Sequence, residues 1–173
     1  RCIDEPIRLS ECEASARRQN QPPHAGAVAV VKDLRQITDE FRSKALETLK
    51  LVEASVGRID TGTPIPEDPD GLEPYDALCG RHMRAVEMCI KLFRSYERLQ
   101  FAEQSQTTRN LLLRMEKLEL IESAEQWIDM RDLRNRIVHD YAPDHIEHIY
   151  HSILAEFAPV LLRLKPTLTN LKL

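Results

Sequence analysis

The 173-residue chain lacks the sequence features that define several common enzyme classes. No glycine-rich phosphate loop, GxSxG elbow, HExxH helix or paired-carboxylate pattern occurs in it. It has four phenylalanines, four tyrosines and one tryptophan, and these are not interleaved with basic residues as in proteins that stack nucleic-acid bases. The usual enzyme classes and sequence-specific readers of single strands are therefore unsupported.

The cysteines and the hydropathy pattern also exclude several kinds of protein. Cys2, Cys12, Cys79 and Cys89 are unevenly spaced and form no CxxC pair, which argues against a disulfide framework or a zinc site. No apolar run is long enough to span a membrane, and residues 1–10 lack the apolar core of a signal peptide. We therefore expect a soluble, cytoplasmic protein with reduced thiols and no membrane partner.

The net charge of −4 argues against a protein that coats nucleic acid generally, because such affinity comes from lysines and arginines that neutralise phosphates. A small, locally basic site remains compatible with this charge. Arg131, Arg134 and Arg136 lie close together in the sequence against Asp129 and Asp132. This region is the candidate for such a site.

With only five glycines and with apolar residues repeating at spacings of three and four, the sequence predicts an all-α protein. The expected architecture is an antiparallel up-and-down helical bundle. Five main helices are predicted at about 28–57, 75–101, 107–120, 124–139 and 144–164. Pro159 predicts a kink in the last of them.

The predicted domain organisation has three parts. Residues 1–25 form an N-terminal extension, 26–165 the bundle domain and 166–173 a C-terminal tail. Residues 60–74 contain four prolines and two glycines, which predicts a long loop inserted between the first two helices.

Two helices have a clear apolar face. On the first helix it consists of Leu34, Ile37, Phe41, Ala45, Leu49, Val52 and Val56. On the second it consists of Leu78, His82, Ala85, Cys89, Leu92, Tyr96 and Leu99. We expect His82 to be a hydrogen-bonded histidine of the core or of an interface. The basic residues of the second helix, with Glu87 and Glu97 between them, are expected to form a solvated face.

One stretch carries chemistry, at the end of the fourth predicted helix. Residues 134–141 read Arg-Asn-Arg-Ile-Val-His-Asp-Tyr. Histidine exchanges protons near neutral pH, and arginine offers a fork of donors that fits a phosphate. The pair indicates phosphodiester chemistry. The alternative is that Asn135 and His139 are surface residues one helical turn apart.

The spacing Arg-x4-His-x-Tyr, with Asn135 directly after the arginine, resembles the signature of the HEPN superfamily. Within it, the chain resembles the HepT-like toxins that pair with minimal nucleotidyltransferase (MNT) antitoxins. The leucine-rich segment 111–118, the following fourth helix and the helix at 146–164 match that family's order of elements. The resemblance covers roughly residues 27–165, and it implies a metal-independent ribonuclease acting at a homodimer cleft without a cofactor.

The residues of the motif can be given roles in RNA cleavage. Such cleavage needs a base for the 2′-OH, an acid for the departing 5′-oxygen and positive charge near the phosphate. We expect His139 and its symmetry mate to act as base and acid, Arg134 to hold the phosphate and Asn135 to orient His139 or the scissile group. Arg131 and Arg136 are candidate substrate contacts.

Arg134 and His139 are five positions apart, so an ideal helix places them about 140° from each other. Either the helix unwinds near Asp140, ahead of Pro143, or a second subunit completes the site. A symmetric dimer is the simpler solution.

Tyr141 follows the histidine by two residues. In the HepT-like family the matching tyrosine receives AMP from the partner enzyme, which silences the toxin. The added charge would repel an RNA phosphate from Arg134 and His139. The alternative role for Tyr141 is packing of its ring against the bundle.

Together these expectations describe the ribonuclease toxin of a type VII-like toxin–antitoxin pair. A second interpretation is a non-catalytic substrate-binding or helper subunit of a two-component nucleotidyltransferase. The presence of all four motif residues favours the toxin, because a scaffold has no physical need for them. A third interpretation, a helical adaptor, predicts that motif mutations change only stability.

The histidines at 145, 148 and 151 recur beside Asp144 and Glu147, a pattern that invites a metal-site interpretation. A spacing of three drifts by about 60° at each step, so the three do not share one helix face. We expect no metal here.

Overall fold

A computed structural model describes the backbone of residues 25–139 and 143–173, and the side chains of residues 33–133, 136 and 146–173. The described chain is all helical. The helices are α1 (Ala25–Val56), α2 (Pro69–Phe101), α3 (Thr108–Lys117), α4 (Ala124–His139), α5 (Pro143–Ser152) and α6 (Ala158–Thr169), with a π-helical turn at Ile153–Phe157 between the last two. Contacts between residues divide the chain into two units, residues 1–33 and 34–173. The second unit contains the core and the motif.

Helices α1 and α2 are antiparallel. The hydroxyls of Thr38 and Ser95 are 2.7 Å apart. Nearly five turns further along α1, Nη1 of Arg81 donates to the hydroxyl of Ser55. Since the contact on α2 moves towards its N-terminus as the contact on α1 moves towards its C-terminus, the two helices run in opposite directions.

The last helix runs alongside α2 in the same direction and opposite to α4. The rings of Tyr75 and Tyr150 have centroids 5.2 Å apart, and those of His82 and Phe157 are 6.0 Å apart. At the other end, Arg163 forms two hydrogen bonds of 3.1 Å with the carboxylate of Glu122, just before α4 begins. The predicted up-and-down helical bundle is therefore confirmed.

This topology gathers four helix ends at one end of the bundle. They are the C-termini of α1 and α4 and the N-termini of α2 and α5. We call this the motif end, because the sequence motif at 134–141 begins on the last turns of α4. The start of α4 and most of α6 lie at the far end.

The core draws apolar side chains from every helix, with Leu49, Leu78, Leu111, Trp127 and Ile153 among its most buried members. Cys79 and Cys89 belong to this core as free thiols. Burial raises the pKa of each thiol to about 12, so both stay protonated at neutral pH. Neither thiol is a reactive nucleophile in this state.

The apolar face of α1 differs from the predicted one at one position. Ile37 is 45% exposed, and the neighbouring Thr38 is fully buried instead. Thr38 is accommodated because its hydroxyl donates to the carbonyl of Leu34 at 2.7 Å and pairs with Ser95. Hydrophobicity alone predicts burial of Ile37, whereas its two hydrogen bonds allow Thr38 to be buried in its place.

Helix α2 begins at Pro69, six residues earlier than predicted, so residues 69–74 of the predicted loop 60–74 are helical. Asp68 caps the helix, and its carboxylate accepts from the N–H of Gly71 at 2.8 Å. Proline suits the first helical position because the missing N–H has no partner there. Pro74, one turn further on, forgoes one backbone hydrogen bond.

The final helix departs from regularity just before Pro159, where the kink was predicted. The N–H of Ala158 donates to the carbonyl of Ile153, five residues back. Pro159 has no N–H for the normal bond to residue 155, which makes the wider π turn less costly here. The helix then continues to Thr169, and both Leu168 and Leu171 are buried.

Glu97 was expected on a solvated face, but the structure buries it completely. Its carboxylate accepts from the N–H and the hydroxyl of Ser105, and an Nη1 of Arg114 lies 3.1 Å from Oε1. These partners compensate the buried charge. They also tie the α2–α3 linker and α3 to α2.

His82 is fully buried as predicted, but the expected hydrogen bond is absent. Neither ring nitrogen has a partner in the described part of the protein. Burial lowers the pKa of this imidazole from 6.5 to about 4. His82 is thus held neutral and without hydrogen bonds, which costs folding free energy.

Two glycines of α2 should respond in opposite ways to the same substitution. In Gly71→Ala the new Cβ would lie 2.4 Å from Cβ of Pro66, so we expect a loss of roughly 1–3 kcal/mol of unfolding free energy. In Gly80→Ala the nearest side-chain atom, Nη2 of Arg84, would be 3.9 Å from the new Cβ, and alanine should stabilise the helix by about 0.5–1 kcal/mol. Urea unfolding of both variants tests this, and shifts of equal sign would contradict it.

Replacing His82 with leucine should stabilise the fold, and more so in acid. Between the unfolded pKa of 6.5 and the folded pKa of about 4, only the unfolded chain binds the proton, so stability falls as the pH falls through this window. His82→Leu removes this loss and two unpaired nitrogens, a gain on the order of 1–3 kcal/mol. Urea unfolding at pH 7 and pH 5 measures it, with the exposed His148 replaced as control. A gain that does not grow in acid would refute the assignment.

Candidate functional site

Helix α4 carries the sequence motif, and its core side fixes its position in the bundle. Trp127, Met130 and Leu133 are each at most 1% exposed. The ring of Trp127 meets Phe93 of α2 edge-on, with centroids 5.2 Å apart. These three residues form the core face of α4. Helical spacing predicts Ile137 and Val138 on the same face, but their side chains lie outside the described residues.

The start of α4 is fixed by hydrogen bonds. The N–H of Gln126 donates to the hydroxyl of Ser123 at 3.3 Å, which is the hydrogen bond of a serine N-cap. The N–H of Ala124 donates to the carboxylate of Glu116 on α3, also at 3.3 Å. The helix therefore has a capped, buried start and extends towards the motif end.

The outer side of α4 is polar and charged. Asp129, Arg131, Asp132 and Arg136 are all exposed. Among the residues with described side chains, neither Arg131 nor Arg136 takes part in an ion pair. Both guanidinium groups are accordingly available to an anion.

The central motif residues are placed only by their backbone. Arg134, Asn135 and His139 all belong to α4, which stays helical through His139, but their side chains lie outside the described residues. On this continuous helix the positions of Arg134 and His139 differ by about 140°. Tyr141 lies entirely outside the described residues.

The motif end also contains a polar contact between α2 and α5. The hydroxyl of Tyr150 donates to Oδ1 of Asp76 at 2.6 Å. Burial, and secondly this hydrogen bond, raise the pKa of the Tyr150 hydroxyl, so it stays protonated. The contact fixes the last turn of α5 against the first turns of α2.

The histidines of α5 have local partners. Nε2 of His151 lies 3.8 Å from the carboxylate of Glu147, and Nδ1 of His148 lies 3.4 Å from the hydroxyl of Ser152. Both histidines are exposed. The side chain of His145 lies outside the described residues.

A small cleft at the motif end was not predicted from the sequence. It has a volume of about 160 Å³, and its lining residues are Ser55, Arg58, Glu73, Pro74, Ala77 and Arg81. They come from the end of α1 and the first turns of α2. In the sequence, only the presence of Arg58 and Arg81 hinted at such a cleft. Because the two are 23 positions apart, the sequence does not show that both line it.

A comparison with protein families matches residues 76–170, more than half of the chain, to the family described as nucleotidyltransferase substrate binding protein like. The chain belongs to this family. The match extends from α2 to α6 and includes the motif. This family is the HEPN-related one that the motif indicated, while the more specific identity as a HepT toxin stays a prediction. No curated protein matches the chain.

The family match sets limits on what the site does. The matched region includes Arg81, the whole of α4 and the charged residues on its outer side, but it does not include α1 or Arg58. None of the described helices is long and apolar enough to cross a membrane. The family match therefore covers the motif and Arg81 of the cleft, but not the other arginine of the cleft, Arg58.

Proposed function

We propose that the chain works together with a nucleotidyltransferase, and that it is the HepT-like ribonuclease toxin of such a pair. The family description supports the nucleotidyltransferase connection. The position of the motif supports the ribonuclease proposal. Arg134 and His139 lie on the last turns of α4, beside the exposed Arg131 and Arg136.

The continuity of α4 favours a homodimeric site. Because the helix includes both Arg134 and His139, their backbone positions differ by about 140° around its axis, which argues against one copy supplying both to the same phosphate. Two copies of α4 related by a two-fold axis supply two histidines and two arginines to one cleft. One histidine then acts as base while the other acts as acid.

The reaction needs neither metal nor cofactor. One His139 takes the proton of the 2′-OH, and the 2′-oxygen attacks the phosphorus. The bond from phosphorus to the 5′-oxygen breaks, and the other His139 donates its proton to that oxygen. The products are a 2′,3′-cyclic phosphate and a free 5′-OH. Arg134 offsets the charge of the pentavalent phosphate, and Asn135 orients His139 or the scissile group.

Silencing by the partner acts at Tyr141. Transfer of AMP from ATP to the tyrosine oxygen releases pyrophosphate and adds bulk and negative charge beside the motif. A phosphodiester there competes with RNA for Arg134 and lowers the local positive potential. The toxin is then inactive without being degraded.

The second candidate is a non-catalytic subunit that presents a substrate to the nucleotidyltransferase. The family description, which names substrate binding, favours this second candidate directly. Under this function the exposed arginines of α4 hold the substrate, and the histidine has no chemical step to perform.

Replacing His139 with alanine should abolish RNA cleavage, because a positioned acid or base contributes about 10²–10⁴-fold to rate. The wild type and His139→Ala are each induced without the partner gene, and growth and total RNA are followed. Only the wild type should fragment RNA and arrest growth. His148→Ala, which changes an exposed histidine of α5, serves as the matched control and should behave as the wild type. Harmless expression of the wild type would favour the substrate-binding subunit.

Incubation with the partner nucleotidyltransferase and ATP should place AMP on Tyr141, which peptide mass spectrometry detects. Tyr150 is an internal control, since its hydroxyl is held by Asp76 in a side chain only 4% exposed. Tyr141→Phe should abolish the modification and keep the ribonuclease active with the partner present. Modification of other residues alone would rule out this mode of silencing.

A further inference from the structure

The cleft at the motif end is built around Arg81 of α2. This side chain is half-buried, and its one described hydrogen bond goes to the hydroxyl of Ser55, which is 2% exposed. A guanidinium group has five N–H donors, and its charge is normally met by a carboxylate or phosphate. In the described part of the chain, no carboxylate lies within ion-pair distance of Arg81.

Arg58 adds a second positive charge to the same cleft. Its backbone is fixed by the turn that ends α1, where its N–H donates to the carbonyl of Ser55 at 3.1 Å. The next residue, Ile59, is buried and anchors this turn to the core. The exposed guanidinium of Arg58 also has no ion-pair partner among the described side chains.

One carboxylate, that of Glu73, lines the cleft without pairing with either arginine. The lining therefore has a net positive charge. At about 160 Å³ the cleft is smaller than the pockets that enclose whole cofactors or drug-sized ligands. It matches the size of a single anionic group that enters from a larger molecule or from solution.

We propose that this cleft binds a phosphate group, held by the forked donors of Arg81 and by Arg58, with the Ser55 hydroxyl at its floor. A phosphate accepts the parallel hydrogen bonds that guanidinium groups provide, and a half-buried site strengthens them. The group belongs to free phosphate, to a nucleotide or to an RNA backbone. The proposal goes beyond the proposed function, because it holds whether the chain cuts RNA or only presents a substrate.

The test measures binding of inorganic phosphate, AMP and a short single-stranded oligoribonucleotide to the full chain by calorimetry at low salt. Saturable binding of at least one probe is expected, and the probe bound most tightly identifies the source of the group. Arg81→Gln should weaken that binding about 10-fold, whereas Arg81→Lys, which keeps the charge, should weaken it less.

Two further variants separate the cleft from general charge effects. Glu73→Gln removes the carboxylate of the cleft and should tighten binding about threefold. Arg84→Gln changes an exposed arginine on the same helix that donates to the carbonyl of Gly80 and does not line the cleft. It should bind as the wild type does. Opposite effects of Arg81→Gln and Glu73→Gln do not arise from partial unfolding, which weakens binding in both.

Absence of saturable binding by all three probes would overturn the proposal. So would binding that Arg81→Gln and Arg84→Gln change equally, because the affinity would then come from overall charge. His139→Ala keeps its affinity for phosphate if the cleft is separate from the motif. The two experiments therefore separate the hypotheses: loss of RNA cleavage tests the ribonuclease, and loss of phosphate binding tests the cleft.

Discussion

The burial of helix α2 is the constraint on which the rest of the fold depends. This helix contacts α1 through Ser95, α4 through Phe93, and α5 through Asp76. Such a helix needs a buried surface wider than the single stripe of an ordinary amphipathic helix. The chain meets this requirement with buried residues on several sides of α2, among them Val86, Cys89, Ile90 and Phe93.

Burying so much of one helix forces polar groups into the interior, and the protein treats them in two ways. Thr38, Ser95 and Glu97 receive hydrogen bonds or an ion pair, which offsets the loss of water and links α1, α2 and α3. His82 receives none in the described structure, and its only described ring contact is with Phe157 of the π turn. The buried polar groups at the far end are therefore hydrogen-bonded, whereas His82 beside the π turn has no hydrogen bond among the described residues.

Local sequence signals predicted the fold well where they were strong. Helix α4 was predicted at 124–139 and occupies those residues, because Ser123 caps its start and its apolar residues repeat at helical spacing. The predicted start of α2 was wrong, because the prolines of residues 60–74 were interpreted as helix breakers. Asp68 is instead the N-cap, and Pro69 is the first helical residue. Local composition does not reveal such a cap unless its position is already known.

Contacts between distant residues were beyond sequence reasoning. Glu97 has the spacing of a solvated charge, and only its ion pair with Arg114 explains its burial. The same applies to the Arg81 cleft, whose residues come from two helices. Of the candidate site, the motif and the exposure of Arg131 and Arg136 followed from the sequence, because they belong to a single helix. The roles of Arg134, Asn135 and His139 remain predictions, because their side chains lie outside the described residues.

The arginines of the described structure divide into those with and those without a carboxylate partner. The arginines found in ion pairs in the described structure, at 42, 109, 114 and 163, belong to the far end, where carboxylates meet them. Those at 58, 81, 131 and 136 lie on α4's outer face or at the motif end and have no such carboxylate. Arg35, Arg94 and Arg98 are exceptions at the far end, because none of them forms an ion pair among the described residues, and Arg94 donates to the hydroxyl of Thr108 instead. In a chain with a net charge of −4, a polyanion is repelled by most of the surface and attracted where arginines are uncompensated. At the motif end this attraction stays local to Arg58 and Arg81, because the linker and first turns of α2 also carry the exposed carboxylates of Asp60, Glu67, Asp70 and Glu73. An anion is therefore selected there by short-range contacts with the guanidinium groups rather than by long-range attraction.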